Sequence, residues 1–464
     1  MKIFLVNPPA PRHTDFLLTS DRCQPLSIAY LASFLKANNF EVLILDAAAL
    51  HLSPSEIVKE IKSIKPDVLG ITAVTYNFSQ AAKIAKLAKR IKNPPLTILG
   101  GPHVTAMPSC IKTSSFDFGV IGEGEETLLE LVSKIKSRQK DLTKVQGLVF
   151  KRGHKLIITP SRPYIQNLDR LPFPSRELFP LLNNYHPGPG MFQNLPVAGM
   201  ITSRGCPFKC TFCDHSVFGQ IFRARSFKNV VDEMELLIKD FKAKEIKIWD
   251  DTFNLDPERV IAICREILKR KLKFTWKCLC RVNFVNKKML KLMKKAGCWQ
   301  IAYGIESGND QILETIKKGL NKEIVRQAVK LTKEAGIETR GFFILGLPGE
   351  TEETLRETID FAKELDLETA DFNSLIPFPG TEIYNQRKRL GHVINRSFDY
   401  YFPSMSDQLV FIPHHLNPQV LKKYLNKARF EFYFRPSYIL KRIIKTKSIA
   451  QARSYFQALK IIAR

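Results

Sequence analysis

The feature that most constrains this chain is an alternation, written twice, of short apolar runs and amphipathic helical stretches. In the first series the apolar runs are "KIFLVN", "FEVLILDA", "DVLGITAVT", "PLTILGG" and "FDFGVIG". Between them lie "PLSIAYLASFLKANN", with Ile28, Leu31 and Leu35 on one face, then "PSEIVKEIKSIKP" and "NFSQAAKIAKLAKRIK"; "EETLLELVSKIKS" follows the fifth run. Strands that read as continuously apolar are buried on both faces, which requires a parallel sheet covered by helices on both sides. Five such units predict a doubly wound α/β domain over residues 1–140.

"VQGLVFKRGHKLIITP" reads as a hairpin turning at Arg152-Gly153, and Ser161 to Pro196 is rich in Pro and Asn with little period. Residues 141–196 are thus expected to be a hairpin and a linker that wraps a neighbour. The second series has strands near "AGMITS", "EIKIWD", "FTWKCLC", "WQIAYGIES", "TRGFFILG" and "ETADFNSLIP". Six βα units over 197–385 predict a partial (β/α)6 barrel, since eight would close it. Residues 386–464 read as a helical, basic region; "LKKYLNKARFEFYFRPSYILKRIIKTK" carries many cations and one acid, Glu431. It suits either a helix packed across the barrel with its cations in water or a membrane surface. In both α/β designs the chemistry belongs at the carboxyl ends of the strands.

Composition narrows the class. With 44% hydrophobic and 25% charged residues the chain is ordinary globular protein, not disordered. No run of about 20 apolar residues predicts a transmembrane helix. "MKIFLVNPPAP" breaks at Pro8-Pro9, too short for a signal peptide, so a cytoplasmic location is expected. Nine cysteines, unevenly spaced, favour metal or packing roles over disulfides. The net charge of +26 admits nucleic acid, a membrane surface or an anionic substrate, and equally mere solubility.

The stretch "TSRGCPFKCTFCDHSVFG" follows the first strand of the second series and holds Cys206, Cys210 and Cys213. Three thiolates on one loop can hold three irons of a cubane cluster and leave the fourth open. The spacing also admits zinc, with His215 completing C-x3-C-x2-C-x-H. A loop at a barrel mouth is an unusual setting for a structural zinc knuckle.

Cys206-x3-Cys210-x2-Cys213, with Phe212 before the last cysteine, resembles the radical S-adenosylmethionine (SAM) signature. "WDDTFN", "YGIESGND" and "GFFILGLPGET" resemble further elements of that superfamily, in the right order. The resemblance implies a [4Fe-4S] cluster on the three cysteines, with SAM on the open iron as the source of a 5′-deoxyadenosyl radical. It also implies SAM contacts from Phe212, Asp250, Asp251, Glu306, Ser307 and Gly346, with Arg281 or Arg340 pairing with SAM's carboxylate. Asp250 and Asp251 equally suit N-capping before Pro257, and Gly349 suits the turn before the next helix. No catalytic residue beyond the cofactors is assigned. Cys278 and Cys280, on one face of a strand, read as buried small hydrophobes, as do Cys264, Cys298, Cys23 and Cys110.

The first domain lacks G-x-G-x-x-G after its first strand, which argues against a dinucleotide site. It resembles the cobalamin-binding domain, with flavodoxin-like strand order, that precedes many radical SAM cores. The carrying features are "NPP", "QPLSIAYLASFLK", "GITAVTYN", "GGPHVTAMP" and "VIGEGEETLLEL". The resemblance implies cobalamin contacts from Pro8, Pro9, Thr72, Thr75, Gly100, Gly101, Pro102, His103, Gly122, Glu123, Gly124 and Glu125, the two glutamates meeting amide side chains, though Glu125 equally suits a cap for the next helix. The D-x-H-x-x-G motif that supplies a cobalt-ligating histidine is absent; His13 and His103 are the nearby candidates. Together the resemblances imply a cobalamin-dependent enzyme that methylates an unactivated carbon of a small-molecule or lipid-like substrate. The linker 161–196 is expected to line the shared cavity. Oxidative cyclisation or rearrangement with the same cofactors is the alternative. Transfer-RNA modification is a third reading, but only Cys23 and Cys110 precede residue 150, too few for a second cluster. Flavodoxin or ferredoxin would donate electrons, and the basic tail offers a peripheral membrane contact.

Overall fold

The computed structural model describes residues 1–11, 23–139, 141–188, 191–402 and 408–445. Strands β1 (Lys2–Asn7), β2 (Glu41–Asp46), β3 (Val68–Thr72), β4 (Leu96–Gly100) and β5 (Phe118–Val120) lie parallel in the order 2-1-3-4-5. This is the flavodoxin-like order expected from the sequence. Both faces are covered: Phe4, Val6, Leu69 and Leu99 pack against one helix layer, Ile3, Leu5, Val68 and Ile98 against the other. The hairpin β6 (Leu148–Arg152) and β7 (Lys155–Ile158) adds antiparallel to β5, so it extends this sheet. Strand order reverses between β1 and β3, which opens a crevice at the carboxyl edge.

The second sheet begins with β8 (Val197–Met200). Two short strands, β9 (Ser203–Arg204) and β10 (Arg223–Ala224), then pair antiparallel and bracket the cysteine loop. Strands β11 (Glu245–Ile248), β12 (Thr275–Cys280), β13 (Cys298–Glu306), β14 (Glu338–Leu345) and β15 (Thr369–Ser374) follow β8 in strict spatial order, all parallel. These six strands are the partial barrel read from the sequence. Its helices start on side-chain caps: Ser226, Asp256, Asn286, Asn321 and Thr351 each accept from a backbone N–H three residues on.

The C-terminal region is not helical throughout. After the helix Glu382–Leu390 comes a two-stranded ribbon, β16 (Gly391–Val393) with β17 (Phe411–Pro413). Strands of three residues carry no readable period, which is why the sequence points to helix alone there. The helix Pro418–Tyr433 then packs across the barrel: Leu421, Ala428 and Phe432 are buried, and Tyr433 Oη donates to Ala370 O at 2.8 Å. Glu431, the tail's lone acid in that stretch, receives Arg356 and Lys363 from the barrel. Among the described residues no helix is long and apolar enough to cross a membrane.

Candidate functional site

A cavity of about 620 Å³ opens at the carboxyl edge of the first sheet, at the switch point between β1 and β3. Leu5, Ile71, Ile98 and Val120 give it an apolar floor, and Thr72, Asn77 and Tyr76 bring polar groups to its rim. Glycine makes the room. At Gly100 an added Cβ would meet nothing within 4 Å, and at Gly122 (φ +78°) only Val217 O at 4.0 Å. Gly101 is different: its φ is +96° and a Cβ would press on Ala73 O at 2.8 Å, so the backbone turn itself requires glycine. A roomy, mostly apolar cradle with few polar groups fits a large flat ligand. The opposite wall comes from the cysteine loop: Asp214, Val217 and Phe218 line the same cavity.

The residues inferred for cobalamin divide. Thr72, Gly100, Gly101, Pro102, Gly122, Glu123, Gly124 and Glu125 all line the cavity. Pro8, Pro9, Thr75 and His103 are not among its lining residues. His103 is fully buried, stacked on Phe78 at 4.2 Å and edge-on to Phe398 at 5.2 Å, with Nδ1 3.4 Å from Thr75 Oγ1. Burial pushes its pKa down to about 4, so the ring is neutral packing. His13 lies outside the described residues. Glu123 and Glu125 turn their carboxylates to arginines: Arg204 donates to both at 2.8 and 2.6 Å, Arg223 donates to Glu123 at 2.9 Å, and the Ile165 N–H also donates to Glu123 at 2.9 Å. A desolvated carboxylate needs a cation, and these arginines come from the barrel domain, out of reach of any local pattern. The linker 161–196 also departs from expectation. None of its described residues lines the cavity; Tyr185 Oη donates instead to Asp46 at 2.8 Å, and the carbonyl of Met191 accepts from Lys277.

The cysteine loop is pinned at both ends. Gly205 has φ +84°, and a Cβ there would fall 2.3 Å from Ile221 O. The Cys206 N–H donates to Gly219 O at 3.4 Å and the Thr211 N–H to Ile316 O at 3.1 Å. Cys206 Sγ lies 3.6 Å from Thr252 Oγ1, and Arg281 Nη1 lies 3.9 Å from Cys210 Sγ. Cys213 is exposed at the mouth, yet protein crowds its sulfur. Desolvation first, then Cys210, Asp251 and Cys206, push its thiol up to about 12. A thiol held neutral in this way is ionised most readily by a cationic metal core, which would take it as a thiolate.

Around this loop the inferred SAM residues fall into distinct settings. Asp250 is committed: its oxygens accept from Thr202 N at 2.5 Å, Thr202 Oγ1 at 2.5 Å and Ser203 Oγ at 2.6 Å. The helix at Pro257 is capped by Asp256, so neither Asp250 nor Asp251 has that role. Asp251 faces the loop, its pKa raised by burial and then by Asp250. Glu306 takes φ +71° at the end of β13 and is held there by Lys318 at 2.7 Å. Ser307 is tied to Thr358 at 3.2 Å. Arg281 ends β12 beside the cysteines, stacked 3.6 Å over Phe208, with a buried Nη2 that has no partner. Arg340 sits lower in the barrel, clasped to Asp371 at 2.6 and 3.0 Å. The two arginines that the resemblance offered as alternatives thus stand in different settings. Phe212 packs among Ile312, Leu347 and Phe411. Gly346, at φ +85°, donates its N–H to Glu350 at 2.6 Å, and Leu347 donates to the same oxygen at 2.9 Å. Burial raises Glu350 to about 8. Glu350, Lys318 and Arg204 are site residues that the sequence reading passed over. Glu350 acts within its own turn and Lys318 on Glu306 twelve residues back, whereas the partners of Arg204 come from the other domain.

Two family models match this architecture: a B12 binding domain over residues 19–132 and the radical SAM superfamily over 200–362. An uncharacterized methyltransferase of Pyrococcus horikoshii is 37% identical over 99% of both chains. This chain belongs to the cobalamin-binding radical SAM enzymes. An anaerobic magnesium-protoporphyrin IX monomethyl ester cyclase of Rubrivivax gelatinosus is 31% identical, over 83% of this chain and 70% of its own. The fold of the radical SAM methyltransferase TsrM of Kitasatospora setae, solved with cobalamin and a [4Fe-4S] cluster, superposes with a TM-score of 0.71 at 20% identity, covering 94% of this chain and 89% of that one. The cofactors of this radical SAM enzyme are accordingly a [4Fe-4S] cluster, SAM and cobalamin.

Proposed function

We propose that this enzyme transfers a methyl group to an unactivated carbon of a small-molecule or lipid-like substrate. The observation that carries the reading is the single cavity walled on one side by the glycine-rich sheet edge and on the other by the cysteine loop. When bound, the cluster and SAM supply a 5′-deoxyadenosyl radical, and cobalamin supplies a methyl group.

The chain's own residues do the rest. Cys206, Cys210 and Cys213 hold the cluster, and the Arg281 guanidinium, with its unpartnered Nη2, receives SAM's carboxylate. Asp251 faces SAM's amino group. Glu350 fixes the Gly346 turn so that backbone approaches the adenine. Thr72, Gly100, Gly101 and Gly122 admit the corrin ring. A flavodoxin- or ferredoxin-like protein donates the electron.

The similarity to a cyclase favours one second reading, oxidative cyclisation with the same cofactors. Incubating reconstituted, cobalamin-loaded enzyme with methyl-labelled SAM and fractionated cell extract tests the choice. Label in a product, with S-adenosylhomocysteine and 5′-deoxyadenosine both formed, supports methylation. Product with 5′-deoxyadenosine alone supports cyclisation.

A further inference from the structure

Arg204 stands two residues before Cys206, in β9, and its side chain leaves the barrel altogether. Nη1 donates to Glu123 Oε1 at 2.8 Å and Nη2 to Glu125 Oε1 at 2.6 Å. Both glutamates alternate with Gly122 and Gly124 on the rim of the cobalamin cavity. Arg223, paired with Arg204 across the β9–β10 ribbon, donates to Glu123 at 2.9 Å and to the linker carbonyl of Ile165 at 2.8 Å. The Arg204 guanidinium also lies over the rings of Tyr30 and Phe218, at 5.4 and 5.3 Å, one from each domain. Two carboxylates and two guanidiniums balance in charge, and each of the four is at most 8% exposed.

We propose that Arg204 is a positioning residue: it clamps the cluster-bearing loop to the rim of the cobalamin cavity and thereby fixes the spacing between the two cofactors. A planar fork held by two desolvated carboxylates has little freedom to rotate. Gly205, locked at φ +84°, passes that rigidity directly to Cys206. A surface ion pair would not serve, because water and salt would loosen it. The proposal rests on the reading of methyl transfer between apposed cofactors.

The test uses full-length Arg204→Met/Glu125→Gln, which removes the clamp without stranding a charge, and Arg204→Lys, which keeps charge but loses the fork. In wild-type and variant proteins with equal iron and cobalamin content, hydrogen exchange is followed along the chain. The clamp predicts several-fold faster exchange confined to residues 203–219 in the double variant, with the Lys322–Glu334 and Glu352–Glu364 helices unchanged. It also predicts a several-fold rise in 5′-deoxyadenosine formed per S-adenosylhomocysteine, with Arg204→Lys between the two. Unchanged exchange over 203–219, or an increase shared equally by both domains, would overturn it. If the double variant does not fold, Arg204→Lys carries the same readout. If wild-type enzyme forms no S-adenosylhomocysteine, the methyl-transfer reading fails, while the exchange result still judges the clamp.

Discussion

The two α/β units put their sites at the same structural place, the carboxyl edge of a parallel sheet, and furnish them oppositely. In the first domain the edge is stripped of side chains: Gly100 and Gly122 leave room over an apolar floor. In the barrel the edge is crowded: three thiols, Thr252, Arg281 and Asp251 converge on one loop. One edge is shaped for a large rigid ligand by withdrawing, and the other is proposed to hold a small charged one by converging. The loop that bears the crowded edge also walls the first edge's cavity, through Asp214, Val217 and Phe218, and buried charge joins the two domains there.

The sharpest break of this contrast is at the crowded edge. Replacing Cys206, Cys210 or Cys213 by Ala is expected to remove the cluster's iron and charge-transfer absorbance completely, with cobalamin binding kept, as measured by iron analysis and absorption spectroscopy. The mirror experiment is Gly100→Leu. A Cβ there meets open space, so the side chain is expected to enter the cavity, abolishing cobalamin uptake while the cluster still assembles. A variant in either class that loses both cofactors would count against two independently furnished edges.

Smaller effects sharpen the account of how the edges join. Glu233 is buried between Arg176 of the linker and Arg225 after β10. Glu233→Gln leaves two guanidiniums short of a counter-charge, and a loss of about 3–5 kcal/mol is expected in denaturant unfolding. His103 gives a pH signature. Its folded pKa of about 4 lies below the unfolded 6.5, so the unfolded state binds more protons between them. Its stabilising contribution is present above about pH 6.5 and lost as pH falls toward 4, worth about 3 kcal/mol at most. His103→Phe is expected to flatten the melting-temperature profile over that window. Tyr433→Phe, which loses the bond to Ala370 O, is expected to cost about 1 kcal/mol by the same denaturant measurement.

The strands were legible because burial on two faces leaves a continuous apolar signal; "KIFLVN" became β1 residue for residue. The cysteine loop was legible because its spacing is local. Glu123, Glu125 and His103 were read as cobalamin contacts, and the structure gives their side chains protein partners. Their partners, Arg204, Arg223 and Phe398, stand 79 or more residues away along the chain. Nothing in "VIGEGEETLLEL" announces that its carboxylates are spoken for. Likewise Arg281 and Arg340 both look like cations near strand ends, and only their depth in the barrel separates them.

The central claim is that one cavity apposes the two cofactors for methyl transfer. It is tested most directly by incubating cobalamin-loaded, cluster-reconstituted enzyme with methyl-labelled SAM, without substrate, under reducing conditions, and recovering the corrinoid. The account expects label on cobalamin with a matching amount of S-adenosylhomocysteine. Full occupancy of both cofactors with no label on the corrinoid would contradict it.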